Sequence, residues 1–218
     1  MRTVSTALAG LTSAALVIGL AQPVSAAPVV LDTNRSTVVV GDGGSGVWTT
    51  FTARGGAVAT ARAVDLWLTA PDGERVLVDL VVKGAPGIWT GVAAFNRFDA
   101  PGQWRATLNV RDGSGKQSTA GRLVFHVKRK TTLSAANPKG RGGSVGGVLR
   151  RLAPAGGYQP YGGQKIHLYR WTDGAWRHVA TTTTGKQGRY SFAARPGKLQ
   201  LRYAGTAVNA PASQTTQR

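Results

Sequence analysis

Residues 103–111 run Gln103-Trp104-Arg105-Ala106-Thr107-Leu108-Asn109-Val110-Arg111. Trp104, Ala106, Leu108 and Val110 alternate with Arg105, Thr107, Asn109 and Arg111. A period of two turns every second side chain to one face, which predicts a strand with one buried and one wet face. Asp112-Gly113-Ser114-Gly115 follows, and then Leu123, Phe125 and Val127 alternate with Val124, His126 and Lys128. Two alternating runs joined by a Gly-rich turn predict an antiparallel hairpin.

The same signature recurs on both sides of this hairpin. Strands are expected near 47–53, 64–69, 75–82, 88–94, 103–111 and 121–128, and again near 131–135, 144–150, 164–171, 176–183, 189–194 and 198–203. Gly, Pro and Asp-Gly separate them, and no segment sustains a helical period. Four of the nine acids stand in Asp-Gly pairs: Asp42-Gly43, Asp72-Gly73, Asp112-Gly113 and Asp173-Gly174. Asp tolerates turn geometry and Gly supplies positive φ, so these carboxylates are assigned to turns rather than to calcium or catalysis. The expected fold is all-β, two tandem immunoglobulin-like sandwiches of about 90–100 residues each.

Charge divides the chain. It has 218 residues, 27 Lys and Arg against nine Asp and Glu, and no Cys. Fifteen of the basic residues and only one acid, Asp173, fall in 129–218, which therefore carries +14. The boundary is placed at Lys128-Arg129-Lys130, giving domains at 27–128 and 129–218. Absence of Cys excludes a disulfide framework, thiolate zinc, an iron–sulfur cluster and a Cys nucleophile. The first 26 residues read as a secretory leader: Met1-Arg2, an apolar core from Ala7 to Leu20, and the small-residue exit Val24-Ser25-Ala26. The core is shorter than the ~20 residues a spanning helix needs. No second apolar run follows, so no transmembrane segment is expected in the mature chain.

The second half resembles a known family. Lys165-Ile-His-Leu-Tyr-Arg170, Trp176-Arg-His-Val-Ala-Thr181, Gly188-Arg-Tyr-Ser-Phe192 and Leu199-Gln-Leu-Arg-Tyr-Ala-Gly205 are similar to the bacterial Ig-like repeats of secreted actinobacterial proteins, over about 130–211. Residues 29–128 resemble Ig-like domains more loosely, through Pro101 to Leu108 and Asp112-Gly113. Two positions depart from the pattern. The chain ends Ser213-Gln-Thr-Thr-Gln-Arg218 where the family has an apolar closing strand, and Leu199 stands where the family often has Tyr. The resemblance implies a spacer, adhesion or binding module, and no catalytic residue to carry over.

The residues themselves point the same way. His126, His167 and His178 each sit in a strand pattern; the acid of the second half, Asp173, falls in a turn, and His126 has acids in its half but no nucleophile motif such as G-x-S-x-G, so no triad is assigned. His167 and His178 could share a metal only through strand pairing. Gly41-Asp-Gly-Gly-Ser-Gly46 satisfies G-x-G-x-x-G, but strand-like Val47-Trp-Thr-Thr-Phe-Thr52 follows where a dinucleotide site needs a helix. It is read as a hairpin loop. The Gly140–147 run lacks the Lys-Ser/Thr ending of a phosphate loop. No cofactor or metal site is assigned.

Two candidate surfaces remain. With Thr172–Ala175 as a hairpin turn, Trp171 faces Trp176, Arg170 faces Arg177, Tyr169 faces His178 and Leu168 faces Val179. Tyr169, Trp171 and Trp176 then form an aromatic platform suited to carbohydrate. The basic half supplies anion-binding candidates in Arg150, Arg151, Arg170, Arg177, Arg189 and Arg202. The expected function is a secreted, non-enzymatic interaction protein, extracellular or held at the cell wall, whose second domain contacts an anionic cell-wall or extracellular polymer. The alternatives are a carbohydrate-binding module or a structural spacer. No specific nucleic-acid partner is expected, because no DNA- or RNA-reading motif occurs.

Overall fold

The computed structural model describes residues 28–136 and 143–217. The leader assigned to 1–26 lies outside the described residues, as do Lys139 and Arg141.

Among the described residues the first half contains nine strands: β1 Val30–Thr33, β2 Thr37–Val40, β3 Val47–Arg54, β4 Ala63–Thr69, β5 Arg75–Asp79, β6 Val81–Val82, β7 Ile88–Phe95, β8 Gly102–Arg111 and β9 Gln117–Arg129. One helical turn, Gly56–Ala59, follows β3. One sheet has the order β1-β3-β7-β6 and the other β2-β9-β8-β4-β5. In immunoglobulin lettering these are A-B-E-D and A′-G-F-C-C′, so the first half is an Ig-like sandwich. β8 and β9 form the predicted hairpin, and Asp112 Oδ1 accepts from Ser114 N, Ser114 Oγ and Lys116 N in its turn.

The alternation in 103–111 does what it predicts. Trp104, Ala106, Leu108 and Val110 are buried while Arg105 and Arg111 are exposed. An antibody domain packs a tryptophan against a disulfide between its B and F strands. This chain has no Cys and fills that space with Phe51, Phe95, Trp104 and Phe125. Phe95 meets Trp104 edge-on at 5.2 Å, and Phe51 and Phe95 each meet Phe125 at 5.5 Å. Each such pair contributes ~0.5–1.5 kcal/mol beyond area burial. The Trp104 indole also donates to Ala100 O at 2.8 Å, which pins the start of β8 to the loop before it.

Two expectations change here. The run 75–82 is two strands, because the chain bends at buried Leu80 and passes from β4 in one sheet to β7 in the other. The Gly41–46 loop is not a hairpin, since β2 pairs with β9 and β3 with β1 and β7. It carries the chain between sheets. Asp42 sits at a bend in this connection and also ties it down: its Oδ1 accepts from Arg97 Nη1 at 3.3 Å and from Gly157 N at 3.1 Å.

The second half contains β10 Thr131–Leu133, β11 Ser144–Leu152, β12 Tyr158–Pro160, β13 Lys165–Thr172, β14 Ala175–Thr183, β15 Arg189–Ala193, β16 Lys198–Tyr203 and β17 Ala212–Gln217. β11 pairs with β10, β12 and β15, and faces a sheet of order β14-β13-β16-β17. This is a second Ig-like sandwich, with A-B-E against C′-C-F-G. Its core holds Val145, Leu149, Ile166, Leu168, Phe192, Leu199 and Leu201. The polar ending 213–217 is a paired strand: β17 registers with β16 over six residues, from Lys198↔Gln217 to Tyr203↔Ala212. Leu199 is fully buried.

The halves join closely. Only Lys130 separates β9 from β10, and Arg129 N donates to Val208 O at 2.9 Å. Leu152 of β11 packs into the aromatic core of the first half and is 1% exposed.

Candidate functional site

The hairpin β13–β14 turns on Asp173-Gly174, with φ of 52° and 75°. Positive φ at both central residues suits the twist of a two-residue hairpin, and Asp followed by Gly adopts it at low cost. The turn sets the register Trp171↔Trp176, Arg170↔Arg177 and Tyr169↔His178, as the sequence predicts. The next step differs. A bulge shifts the register, so Leu168 faces Ala180 and not Val179. Val179 is the extra residue and is exposed, while Leu168 remains in the core.

The bulge changes the chemistry of the outer face. Without it, His178 and Thr181 would point to opposite sides. With it, His178 Nε2 lies 3.0 Å from Thr181 Oγ1, and His167 Nδ1 lies 2.9 Å from the same oxygen. The two imidazoles stand 5.8 Å apart. Among the described residues no group of three or more His, Cys, Asp or Glu could hold a metal.

β16 extends this face. Leu199, Leu201 and Tyr203 point inward, which turns Lys198, Gln200 and Arg202 outward. The register then aligns His178, Tyr169, Gln200 and Thr215 in one row and Thr181, His167, Arg202 and Ser213 in the next. The Arg202 guanidinium lies 4.3 Å over the Tyr169 ring, and its Nε donates to Gln200 Oε1 at 2.7 Å. Lys198 Nζ lies 5.4 Å and 5.8 Å from the Trp171 and Trp176 ring centroids. Those two indoles meet edge-on at 5.2 Å. A groove of about 540 Å³ runs past His167, Tyr169, Gln200, Arg202 and Ser213. None of β13, β14, β16 and β17 contains an acid.

The six candidate arginines do not share one surface. Arg202 belongs to the outer face. Arg170 and Arg177 pair across the hairpin on the opposite side, where Arg170 Nη2 donates to Arg195 O at 3.3 Å and Arg177 is exposed. Arg150 and Arg151 lie on β11, with Arg151 4.8 Å over the Tyr161 ring. Arg189 is exposed on β15. Tyr169, Trp171 and Trp176 do fall together. The sequence reading missed Lys198, Gln200 and His167 as members of this face. The alternation in Lys198-Leu-Gln-Leu-Arg-Tyr203 carries the signal for two of them.

No protein-family model matches the chain, and no curated protein matches its sequence. Its fold is similar to several solved structures. The tetra-tandem repeat in the extending region of a large adhesion protein shares 16% identity over 87% of this chain and 48% of that one, with a TM-score of 0.37. A DUF4785 family protein from Legionella pneumophila shares 14% over 84% and 56%, with a TM-score of 0.47. BcpA, the major pilin subunit of Bacillus cereus, shares 7% over 88% and 67%, with a TM-score of 0.27. The chain spans about half the length of the first two. Similarity at this level concerns architecture alone. No helix among the described residues is long and apolar enough to cross a membrane.

Proposed function

We propose that this chain is a non-enzymatic extracellular interaction protein that binds an anionic carbohydrate polymer on the outer face of β14-β13-β16-β17. The observation that carries the reading is the pairing of cations with aromatic rings beside an open groove, Arg202 on Tyr169 and Lys198 on Trp171 and Trp176, on strands without an acid. A sugar ring offers a C–H face to stack on an aromatic, and its carboxylate or phosphate substituent accepts charge-assisted hydrogen bonds from Arg or Lys. Three further elements belong to the same proposal: the cleaved leader at 1–26, retention at the cell wall, and the division into 27–128 and 129–218. In it the first sandwich is a spacer or second contact surface.

The test is affinity electrophoresis of the mature chain in polygalacturonate, poly(glycerol phosphate) and a neutral glucan, over 50–500 mM NaCl. The reading expects retention by one or both polyanions that weakens steeply with salt. Arg202→Gln should weaken it about tenfold, the scale of one lost charge-assisted hydrogen bond. Arg189→Gln removes equal charge elsewhere and should have a smaller effect. Salt-independent retention by the neutral glucan, lost in Trp176→Ala, would favour the neutral-carbohydrate reading that the Trp171–Trp176 pair supports. No retention, or equal effects of both arginine changes, would overturn the assignment of this face.

A further inference from the structure

Away from the outer face, two cations converge on a cavity whose lining, among the described residues, includes no acid. Arg129 ends β9 and Arg151 lies on β11 opposite Thr131. Both line a cavity of about 130 Å³, together with Gln159, Asn209 and residues 152–154. Arg129 Nε is buried and has no hydrogen-bond partner. Arg151 is held in place by its stacking on Tyr161. Burial, and then the Arg151 guanidinium, push Arg129 below the ordinary arginine range. The acid of residues 129–218, Asp173, sits in the β13–β14 turn, and the ion pair found among the described residues joins Arg97 to Asp42.

A buried donor with no acceptor, next to a second cation, is a costly arrangement in a folded chain. A bound anion reverses the sign of both terms. It accepts from the orphaned Nε and screens the two guanidiniums from each other. We infer that Arg129 and Arg151 form a binding site for one tetrahedral oxyanion group, phosphate or sulfate, at the junction between the two sandwiches. The cavity has room for about four water volumes, which fits one such group but not a polymer segment. The site is separate from the outer face. Because Arg129 ends the last strand of the first sandwich, occupancy ties that strand to β11.

The test is thermal unfolding of the mature chain with inorganic phosphate, sulfate or glycerol phosphate, at ionic strength fixed with NaCl. The expected result is a saturable rise in Tm, about 3–6 °C at ten times the dissociation constant. Arg151→Met keeps the stem over Tyr161 and removes the charge, and it should abolish the rise. In phosphate-free buffer the same variant should be at least as stable as the parent, because it relieves Arg129. Arg150→Met removes a charge one residue away and should keep the full rise. Arg129→Met, followed by calorimetric titration with phosphate, gives the second readout. A response to glycerol phosphate identifies a phosphate ester as the ligand class, and a response to inorganic anions alone identifies the free ion. A rise that never saturates, or that is equal in the parent, Arg151→Met and Arg150→Met, would overturn the site.

Discussion

Two buried threonines should respond in opposite directions to the same substitution. Thr49 of β3 is fully buried, and its Oγ1 has no hydrogen-bond partner. Thr131 of β10 is 5% exposed, and its Oγ1 donates to Ala210 O at 2.8 Å. Valine matches threonine in shape and β-branching, so Thr→Val isolates the hydroxyl. At position 49 the change removes an unsatisfied polar group whose burial costs ~1–3 kcal/mol, and the protein should gain part of that. At position 131 the change deletes a hydrogen bond and leaves the Ala210 carbonyl short of a donor, for a loss of ~1–3 kcal/mol. For a chain of this size the Tm moves ~2–4 °C per kcal/mol. Thr49→Val should therefore raise Tm by several degrees and Thr131→Val should lower it by a similar amount. Urea unfolding followed by tryptophan fluorescence should give the same signs, with m unchanged. A neutral or destabilising Thr49→Val would refute the reasoning, because it would mean that the hydroxyl is satisfied in solution.

Leu152→Ala should cost ~2–5 kcal/mol and lower the stability of the first sandwich, although Leu152 lies on β11 of the second, since it is buried in the core cluster of the first; hydrogen exchange of β8 amides would show it. Gly188→Ala should be far more disruptive than Gly174→Ala: both have positive φ, but a Cβ at 188 collides with Leu149 O and meets Tyr161 N at 2.9 Å, while nothing lies within 4 Å at 174. Asp112 is held below its ordinary 3.8 by the Ser114 hydroxyl and by backbone N–H donors of its turn. The depressed folded value means that its stabilisation is present above pH 3.8 and is lost as pH falls through the folded value, so the advantage of the parent over Asp112→Ala should shrink in acid melts below pH 4. Burial pushes Tyr190 and Tyr203 well above the usual tyrosine value of 10.0, so both should resist ionisation above pH 10 until the chain unfolds, as read by absorbance at 295 nm against Tyr190→Phe and Tyr203→Phe.

Legibility followed the source of each element's order. Residues 103–111 and 198–203 owe their faces to their own alternation, and both came through as written. The Asp173-Gly174 turn was readable because its backbone angles demand those residue types. β17 was not, because Ala-Ser-Gln-Thr-Thr-Gln has no apolar face and is held by backbone pairing to β16. The bulge at Val179 leaves no trace in composition, yet it decides that His178 joins Thr181 and His167. Val76 to Val82 is apolar apart from Asp79, and Asp79 is no turn signal on its own, so the passage from one sheet to the other at Leu80 is a tertiary choice. The site was partly visible for the same reason. Short-range pairing placed Tyr169, Trp171 and Trp176 together, whereas Lys198 and Gln200 reach them only through the long-range register of β13 with β16. The Arg129–Arg151 cavity needs the meeting of β9, β11 and the 208–210 segment, which no local pattern encodes.

The parallel pairing of β2 with β9 has a mechanical consequence. Thr37 to Val40 register with His126 to Arg129, and Val38 and Val40 are fully buried behind that ladder. Tension entering ahead of residue 37 and leaving beyond residue 129 draws these two strands past each other lengthwise. Their hydrogen bonds and the two valines are then loaded in shear, all at once, where an antiparallel hairpin pulled from its open end would unzip one rung at a time. The first sandwich therefore resists stretching along the chain more strongly than its equilibrium stability alone would indicate.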